Sequence, residues 1–578
     1  MNFTATAPAG VQYDRLAIMY FGDTEVWRTS TAEPSDDMAV VWTYWKDMTP
    51  FMYFWKQPQK LIFDLGNIVD NTLTSPFNAV LTATFFMADE DSQEVEADAD
   101  GETKKDGPAD LIIPVSAHKG ASDLASAWEY PKQEPVDVIS SFPRNARRAV
   151  FSVSANGQGQ EESWYIGIPQ SAMKIFSEGV FYGTDSWREV QVLVDDHLVG
   201  VYWPFPTLFT GALMLELHRP VVGVNTFDLK EHEIDITPWL PLLCDGKEHT
   251  VSLQVVCSDD GSANGTQIVP APGNWILTGK IFVWLDEDEE SITTGDLPTT
   301  LDGDPKKITF EHSDKEVMAD DSGENYSLTF GLRAHRGFLV EGRIKTQAGE
   351  KNVSWAQFLN HTASGDITGY GGNSKTAVKV AGIEGASGAA EYRTEYSYPI
   401  LILGTQEIQQ PQLFVYIRVT TIALSQALDH KIWGSSVFPT GVEAYHETFE
   451  ASSLSTNRDC IFQLLVDLGT GQNYSTIYAD QILSLAGVNP DGGDDVPLYE
   501  RILQSDFDMV SVDTETVEGV VSELSHPGSI YTSEQFTRGQ MLPADIVKVH
   551  PASAQSAWSR FGLSDIAQRK GKDSNSGV

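Results

Sequence analysis

Arg188-Glu-Val-Gln-Val-Leu-Val194, followed by Asp195-Asp196-His197 and then Leu198-Val199, sets the fold class. Val190, Val192 and Val194 repeat at period two, which places them on one face of an extended strand; a helix would scatter them. The Asp-Asp-His triplet reads as a turn, with Leu198-Val199 starting the return strand. The same alternation recurs at Leu413, Val415, Ile417 and Val419, with Phe414, Tyr416 and Arg418 on the other face. Ile281-Phe-Val-Trp-Leu285 reads as a short buried strand. Helical spacing is confined to two candidates, Tyr478 to Val488 and a piece within Ala552 to Gln568. The expected class is all-β: tandem antiparallel β-sandwich domains and a further β-rich C-terminal domain.

With 578 residues, the chain exceeds what one core usually serves, so roughly two to four domains are expected. Two acidic stretches divide it. Asp89 to Glu102 is dense in carboxylates and continues in polar residues to Pro108; Asp286 to Pro305 is similar and holds Gly and Pro. Blocks of like charge repel themselves, so both are expected as exposed loops or linkers. The expected division is a first sandwich over 1–90, an acidic linker over 91–108 and a second sandwich over 109–286. A second linker over 287–305, a β-rich region over 306–560 and a polar tail over 561–578 complete it.

Acidic residues outnumber basic ones by 81 to 39, and the formal charge of −42 repels phosphate backbones and anionic membrane surfaces. Nucleic acid is therefore not an expected partner. The longest apolar stretch, Val199 to Leu215, is too short to span a bilayer and contains Pro204 and Pro206. Cys244, Cys257 and Cys460 are too few for a disulfide framework and lack CxxC spacing. Cys244 and Cys257 could be bridged if they face each other across a hairpin, which spacing leaves open. Asn2, Asn264, Asn325, Asn352, Asn360 and Asn473 each open an acceptor sequon, and six together lean towards the secretory route. Met1-Asn2-Phe3-Thr4-Ala5 lacks the basic start and apolar stretch of a signal peptide.

Three segments carry candidate chemistry. Val11-Gln-Tyr-Asp14-Arg15-Leu16 holds an acid next to a base, which by itself reads as a surface ion pair before it reads as a working site. Neighbours in a regular strand point to opposite faces, so Asp14 and Arg15 can share a pocket only at a strand end or bulge. Gly157-Gln-Gly-Gln-Glu161-Glu162-Ser-Trp164-Tyr165 sets two carboxylates between glycines and aromatics. It reads either as an exposed acidic turn or as a loop holding a carboxyl whose proton is retained by burial or like charge. Gly200-Val-Tyr-Trp-Pro-Phe-Pro206, Phe209-Thr-Gly211 and Arg219-Pro-Val-Val-Gly223 read as a proline-pinned loop or as an aromatic wall with an arginine donor. Glu231-His-Glu233 and Tyr445-His-Glu447 lack a further ligand and read as solvated surface, so no metal and no cofactor is expected.

Gln12-Tyr-Asp14-Arg, Arg28-Thr-Ser-Thr-Ala-Glu-Pro34, Val41-Trp-Thr-Tyr-Trp-Lys-Asp47, Leu65-Gly-Asn-Ile-Val-Asp70, Phe142-Pro-Arg-Asn-Ala-Arg-Arg-Ala-Val150 and Asp235-Ile-Thr-Pro238 run in order along the chain. Together they resemble the peptide:N-glycanase A family from about Gly10 to Asp286, and more loosely over Gly342 to Gln357. The resemblance implies paired jelly-roll-like sandwiches and hydrolysis of the amide between N-acetylglucosamine and asparagine, leaving aspartate and a glycosylamine. N-glycosylated peptides or glycoproteins would be the substrates and the setting extracellular. Tyr-Asp14-Arg15 is similar to the Trp-Asp-Arg motif of the bacterial enzymes, which implies Asp14 as catalytic base, kept ionised by Arg15. Glu162, before Trp164, would be the second acid. Arg15 and Arg219 would be sugar-side donors, Glu161 and Trp164 further substrate contacts, and Asp64 or Asp70 a third acid. Ser163 stands where the family pattern has an aromatic, which leaves Glu161 and Glu162 as alternatives. Family chains usually carry a signal and further residues upstream of this motif. A non-catalytic glycan-binding sandwich protein is the alternative reading.

Overall fold

The computed structural model describes residues 1–523 apart from 37, 86–106, 178–180, 264, 302–303, 305–306, 314, 413–414, 439–450, 489–494, 507–508 and 518. Strands dominate the described residues and the longest α-helix among them has four residues. The opening hairpin forms as its sequence implies. Arg188–Val194 pairs with His197–Tyr202, and Asp195 and Asp196 take φ of 47° and 64° at the turn. Short polar Asp tolerates this left-handed backbone better than most side chains.

Residues 2–82 form two three-stranded sheets. One orders Val40–Trp45, Asn2–Ala7 and Asn78–Thr82; the other orders Thr24–Ser30, Leu16–Phe21 and Leu61–Asp64. Between them Phe3 meets Trp27 and Phe63 edge-on at 5.1 and 5.2 Å. Trp27 also stacks on Tyr44, so aromatic area supplies much of this small core.

Residues 111–285 form two five-stranded sheets, built around Ala146–Gln158 with Asn274–Leu285 and around Arg188–Val194 with His249–Asp259. Trp187, Trp203, Trp239 and Trp275 are wholly buried in this region. Phe282 and Trp284 also reach the core of the first pair of sheets, so the two units share apolar surface. The acidic stretch from Asp286 is mostly exposed, but Thr294–Gly295 and Thr299–Leu301 pair with the long strand Asn325–Thr346.

That strand belongs to a 14-stranded antiparallel sheet reaching Val520–Glu523, with strands of up to 22 residues. Alternate residues such as Phe338, Val340, Trp355 and Tyr398 are buried and join the core of the preceding unit. Period-two burial on one face is what such a covered sheet requires.

Several expectations need correction or fall outside these residues. Tyr478 to Val488 is not a helix but lies almost wholly in the strand Asn473–Gly487, where pairing to Ala451–Asp467 outweighs a weak helical spacing. Ala552 to Gln568, Tyr445-His-Glu447, Leu413, Phe414, Asn264 and the acidic stretch Asp89 to Glu102 lie outside the described residues. Glu231-His-Glu233 is not solvated surface. His232 stacks on Tyr202 at 4.6 Å, and Glu233 accepts from the N–H groups of Val437 and Phe438, because His232–Asp235 is a strand inside the fold. Cys244 and Cys257 are buried free thiols. Cys257 sits eight residues into the strand His249–Asp259, roughly 26 Å from its start, and does not face Cys244 across a hairpin. Among the described residues no helix is long and apolar enough to cross a membrane, and no three His, Cys, Asp or Glu side chains cluster as metal ligands.

Candidate active site

Asp14 and Arg15 lie immediately before the strand Leu16–Phe21, so the alternation of a regular strand does not separate them. The Arg15 N–H donates to Thr31 Oγ1 at 2.8 Å, and the Thr31 N–H returns to the Arg15 carbonyl at 3.0 Å. This pairing extends the hairpin beyond Ser30 and brings Glu33 beside Asp14, whose N–H points to Glu33 Oε2 at 3.4 Å. The loop at Gly211 closes the site from the second unit. A Cβ there would stand 2.5 Å from Glu33 Oε2 and 2.6 Å from Asp14 Oδ1, so any larger residue would push both carboxyl ends aside. Thr210 anchors that loop by donating its hydroxyl to the Thr31 carbonyl.

Glu162 completes the group. The strand Ala146–Gln158 ends in a tight turn in which Gly159 takes φ +61° and a Cβ on Gly157 would strike the Glu161 carbonyl at 2.1 Å. That turn sends the two adjacent glutamates in different directions. Glu161 is buried and accepts from the Arg188 guanidinium at 2.6 and 2.9 Å and from Trp275 Nε1 at 2.9 Å. Burial alone would raise its carboxyl, but Arg188 and Trp275 outweigh it and hold it low. Glu162 has no ion-pair partner among the described residues. Burial, reinforced by the charge of Asp14, pushes it up to about 7.

Glu33 behaves like Glu162. Burial and Asp14 lift it to about 7, against the Asp14 N–H and the more distant Arg219. Asp14 itself is raised by burial, which outweighs the N–H groups of Gly211 and Asp14 and the charge of Arg15. Three carboxyls thus share one half-buried place, and like charges there favour keeping protons on some of them. Such a set supplies a proton acceptor and a proton donor near neutral pH.

The remaining candidates are placed differently. The Arg15 guanidinium is held by Gln12 Oε1 at 2.7 and 3.2 Å, and its effect on Asp14 is the smallest of those acting. It therefore does not keep Asp14 low as the resemblance implies. Arg219 is buried, and it donates to the Glu33 carbonyl at 2.5 Å, fixing the segment that carries Glu33. Trp164 is buried edge-on against Tyr165, whose hydroxyl donates to the Thr207 carbonyl at 3.1 Å. Asp70 sits apart in an exposed turn, accepting from the N–H groups of Thr72 and Leu73 at 2.7 Å. Asp64, at the end of the strand Leu61–Asp64, is raised by burial against the Gly66 N–H. Glu33 and Gly211 were not among the sequence candidates. Both stand inside quoted blocks, but a Glu before Pro and a loop glycine carry no local sign of the acid they meet.

Comparison with known proteins adds a family. Residues 1–300 match the family model described as peptide N-acetyl-beta-D-glucosaminyl asparaginase amidase A, and residues 329–400 match the model for the C-terminal domain of the same group. A protein of Prunus dulcis, peptide-N4-(N-acetyl-beta-glucosaminyl)asparagine amidase A, is 30% identical over 341 residues. That match covers 58% of this chain and 55% of the relative, so the chain spans about half the length of the curated relative it matches. No solved structure matches the chain.

Proposed function

The chain belongs to the peptide N-acetyl-beta-D-glucosaminyl asparaginase amidase A family, and from that premise we propose that it hydrolyses the amide joining N-acetylglucosamine to asparagine in N-glycopeptides or glycoproteins. The observation that carries this reading is the convergence of Asp14, Glu33 and Glu162 without a cation paired to them, with two of the three lifted to about 7. Asp14 takes a proton from water as its oxygen attacks the asparagine side-chain carbonyl carbon. Glu162, protonated below about 7, gives its proton to the departing nitrogen as the C–N bond breaks. The products are aspartate and a glycosylamine. Glu33 and the Gly211 loop hold Asp14 in place, and the Gly211 N–H steadies its charge. Asn352, Asn360 and Asn473 are exposed sequon asparagines, which supports a secretory route for the chain.

The test is incubation of a small N-glycopeptide with the protein in heavy-oxygen water, followed by mass spectrometry. One heavy oxygen in the new aspartate, together with release of the intact glycan, is the expected result. Cleavage that leaves a sugar on asparagine would overturn the amidase reading. Binding of the glycopeptide without turnover would favour a glycan-binding protein.

A further inference from the structure

A cavity of about 350 Å³ opens at the seam where the first sheets, the segment after Phe227 and the large sheet meet. Its size is within the range that ligand sites occupy. Trp45 lines it with 65% of its surface exposed, a flat apolar ring beside charged and polar side chains. Asp228 is fixed on the wall by the Tyr44 hydroxyl at 3.0 Å and by Lys46 at 2.8 Å. Lys230 lies deeper. Its ammonium stands 3.4 Å from His430 Nδ1 and 5.9 Å from the centre of the Tyr398 ring. His430 is held neutral by burial and by Lys230, and its other nitrogen meets Thr394 Oγ1 at 2.8 Å. Burial brings Lys230 down to about 8 against the surrounding carboxylates.

An exposed aromatic ring beside fixed donors and acceptors is the chemistry that recognises a sugar, whose C–H face lies on the ring while its hydroxyls find both kinds of partner. The carboxylates of Asp228, Glu231 and Glu233 around the cavity disfavour an anionic ligand. Backbone pairing sets the cavity and the carboxyl cluster along one stretch of chain. Ser30 N–H to Thr226 carbonyl and Leu229 N–H to Arg28 carbonyl, at 3.0 and 2.9 Å, lay the 226–229 segment along the strand that continues to Glu33. Arg28 and Glu33 are five extended residues apart, at most about 17 Å. A smaller cavity of about 70 Å³ joins Glu33 to Trp42 and Phe227, the neighbours of the Tyr44 and Asp228 segments.

We propose that the seam cavity is a second carbohydrate subsite, which holds an outer part of a neutral N-glycan while its reducing-end amide lies at Asp14. This rests on the amidase reading for the position of the amide, but not for the binding of sugar. Trp45→Ala and Lys230→Gln are compared with the unaltered protein on two glycopeptides of one sequence. One carries a neutral high-mannose glycan and the other a single N-acetylglucosamine. The expected result is a KM raised roughly five- to tenfold for the long glycan only, with kcat and the short substrate unaffected. Equal effects on both substrates, or none, would overturn the subsite. Free high-mannose oligosaccharide is also titrated into Asp14→Asn protein by calorimetry. Binding that Trp45→Ala abolishes supports the subsite even if neither glycopeptide is cleaved, an outcome that sinks the amidase reading alone. No binding of the free glycan overturns the subsite whatever the turnover.

Discussion

Glu161 and Glu162 are neighbours in sequence and opposites in environment. Glu161 is enclosed by Arg188 and Trp275, with its charge matched and its hydrogen bonds made. Glu162 looks into a group that also holds Asp14 and Glu33, where no cation matches the charge and burial works against ionisation. Two other buried acids also have a cation partner, whereas Asp480, lifted to about 7 by burial and by Asp459, shares the second pattern. Glu25 is matched by Arg28, and Glu189 meets Arg336 at 3.2 Å with Trp203 Nε1 at 2.8 Å. A paired acid is scaffold because its proton affinity is settled by its partner; an unpaired one can exchange a proton near neutrality.

Asp14→Asn removes the proposed base, and glycopeptide turnover is expected to fall by about a thousandfold or more, with an unchanged thermal midpoint. On the paired side, Arg188→Met leaves Glu161 charged and buried, which is expected to cost about 3–5 kcal/mol in chemical denaturation. Glu162→Gln is expected to lower kcat about a hundredfold, yet to leave the fold as stable or more so. Gly211→Ala drives a methyl into the space beside two carboxyl oxygens. A fall of about tenfold in kcat/KM is expected from their displacement.

The smallest effect is on stability against pH, and its sign is opposite on the two sides. Glu162 has an ordinary value of 4.5 and rises to about 7 on folding, so the folded protein keeps a proton that the unfolded chain has lost in that window. Stability is full below the window and declines as pH climbs through it. Glu161 is held low, so its contribution is present above its ordinary value and is lost on acidification. Denaturation midpoints from pH 5 to about 8 are therefore expected to fall in the parent protein. They are expected to fall less in Glu162→Gln, by about 1 kcal/mol at the upper end after allowance for solvent screening.

Much of the β architecture was legible because period-two burial is written locally. Val190, Val192 and Val194 announce their face, and Asp195-Asp196 announce the hairpin. The Asn473–Gly487 strand was misread because Ile477, Ala479 and Leu485 alternate imperfectly and the deciding hydrogen bonds come from a strand about twenty residues earlier. The buried place of Glu231-His-Glu233 is likewise set by the large sheet, over 150 residues later in the chain. Asp14 and Glu162 stand in motif positions that the resemblance singles out, though nothing local separates Glu162 from Glu161. That difference depends on Arg188 and Trp275, which tertiary structure alone brings to one of them. Glu33 and Gly211 were illegible for the same reason.

The dependence of kcat/KM on pH, compared between the parent protein and Glu162→Gln, tests this account most directly. For the parent, a bell-shaped profile is predicted, with its alkaline limb near 7 where Glu162 loses its proton and its acid limb where Asp14 gains one. In Glu162→Gln the remaining activity is predicted to lose that alkaline limb. An alkaline limb of the same position and depth in both proteins would contradict the assignment of Glu162 as the proton donor.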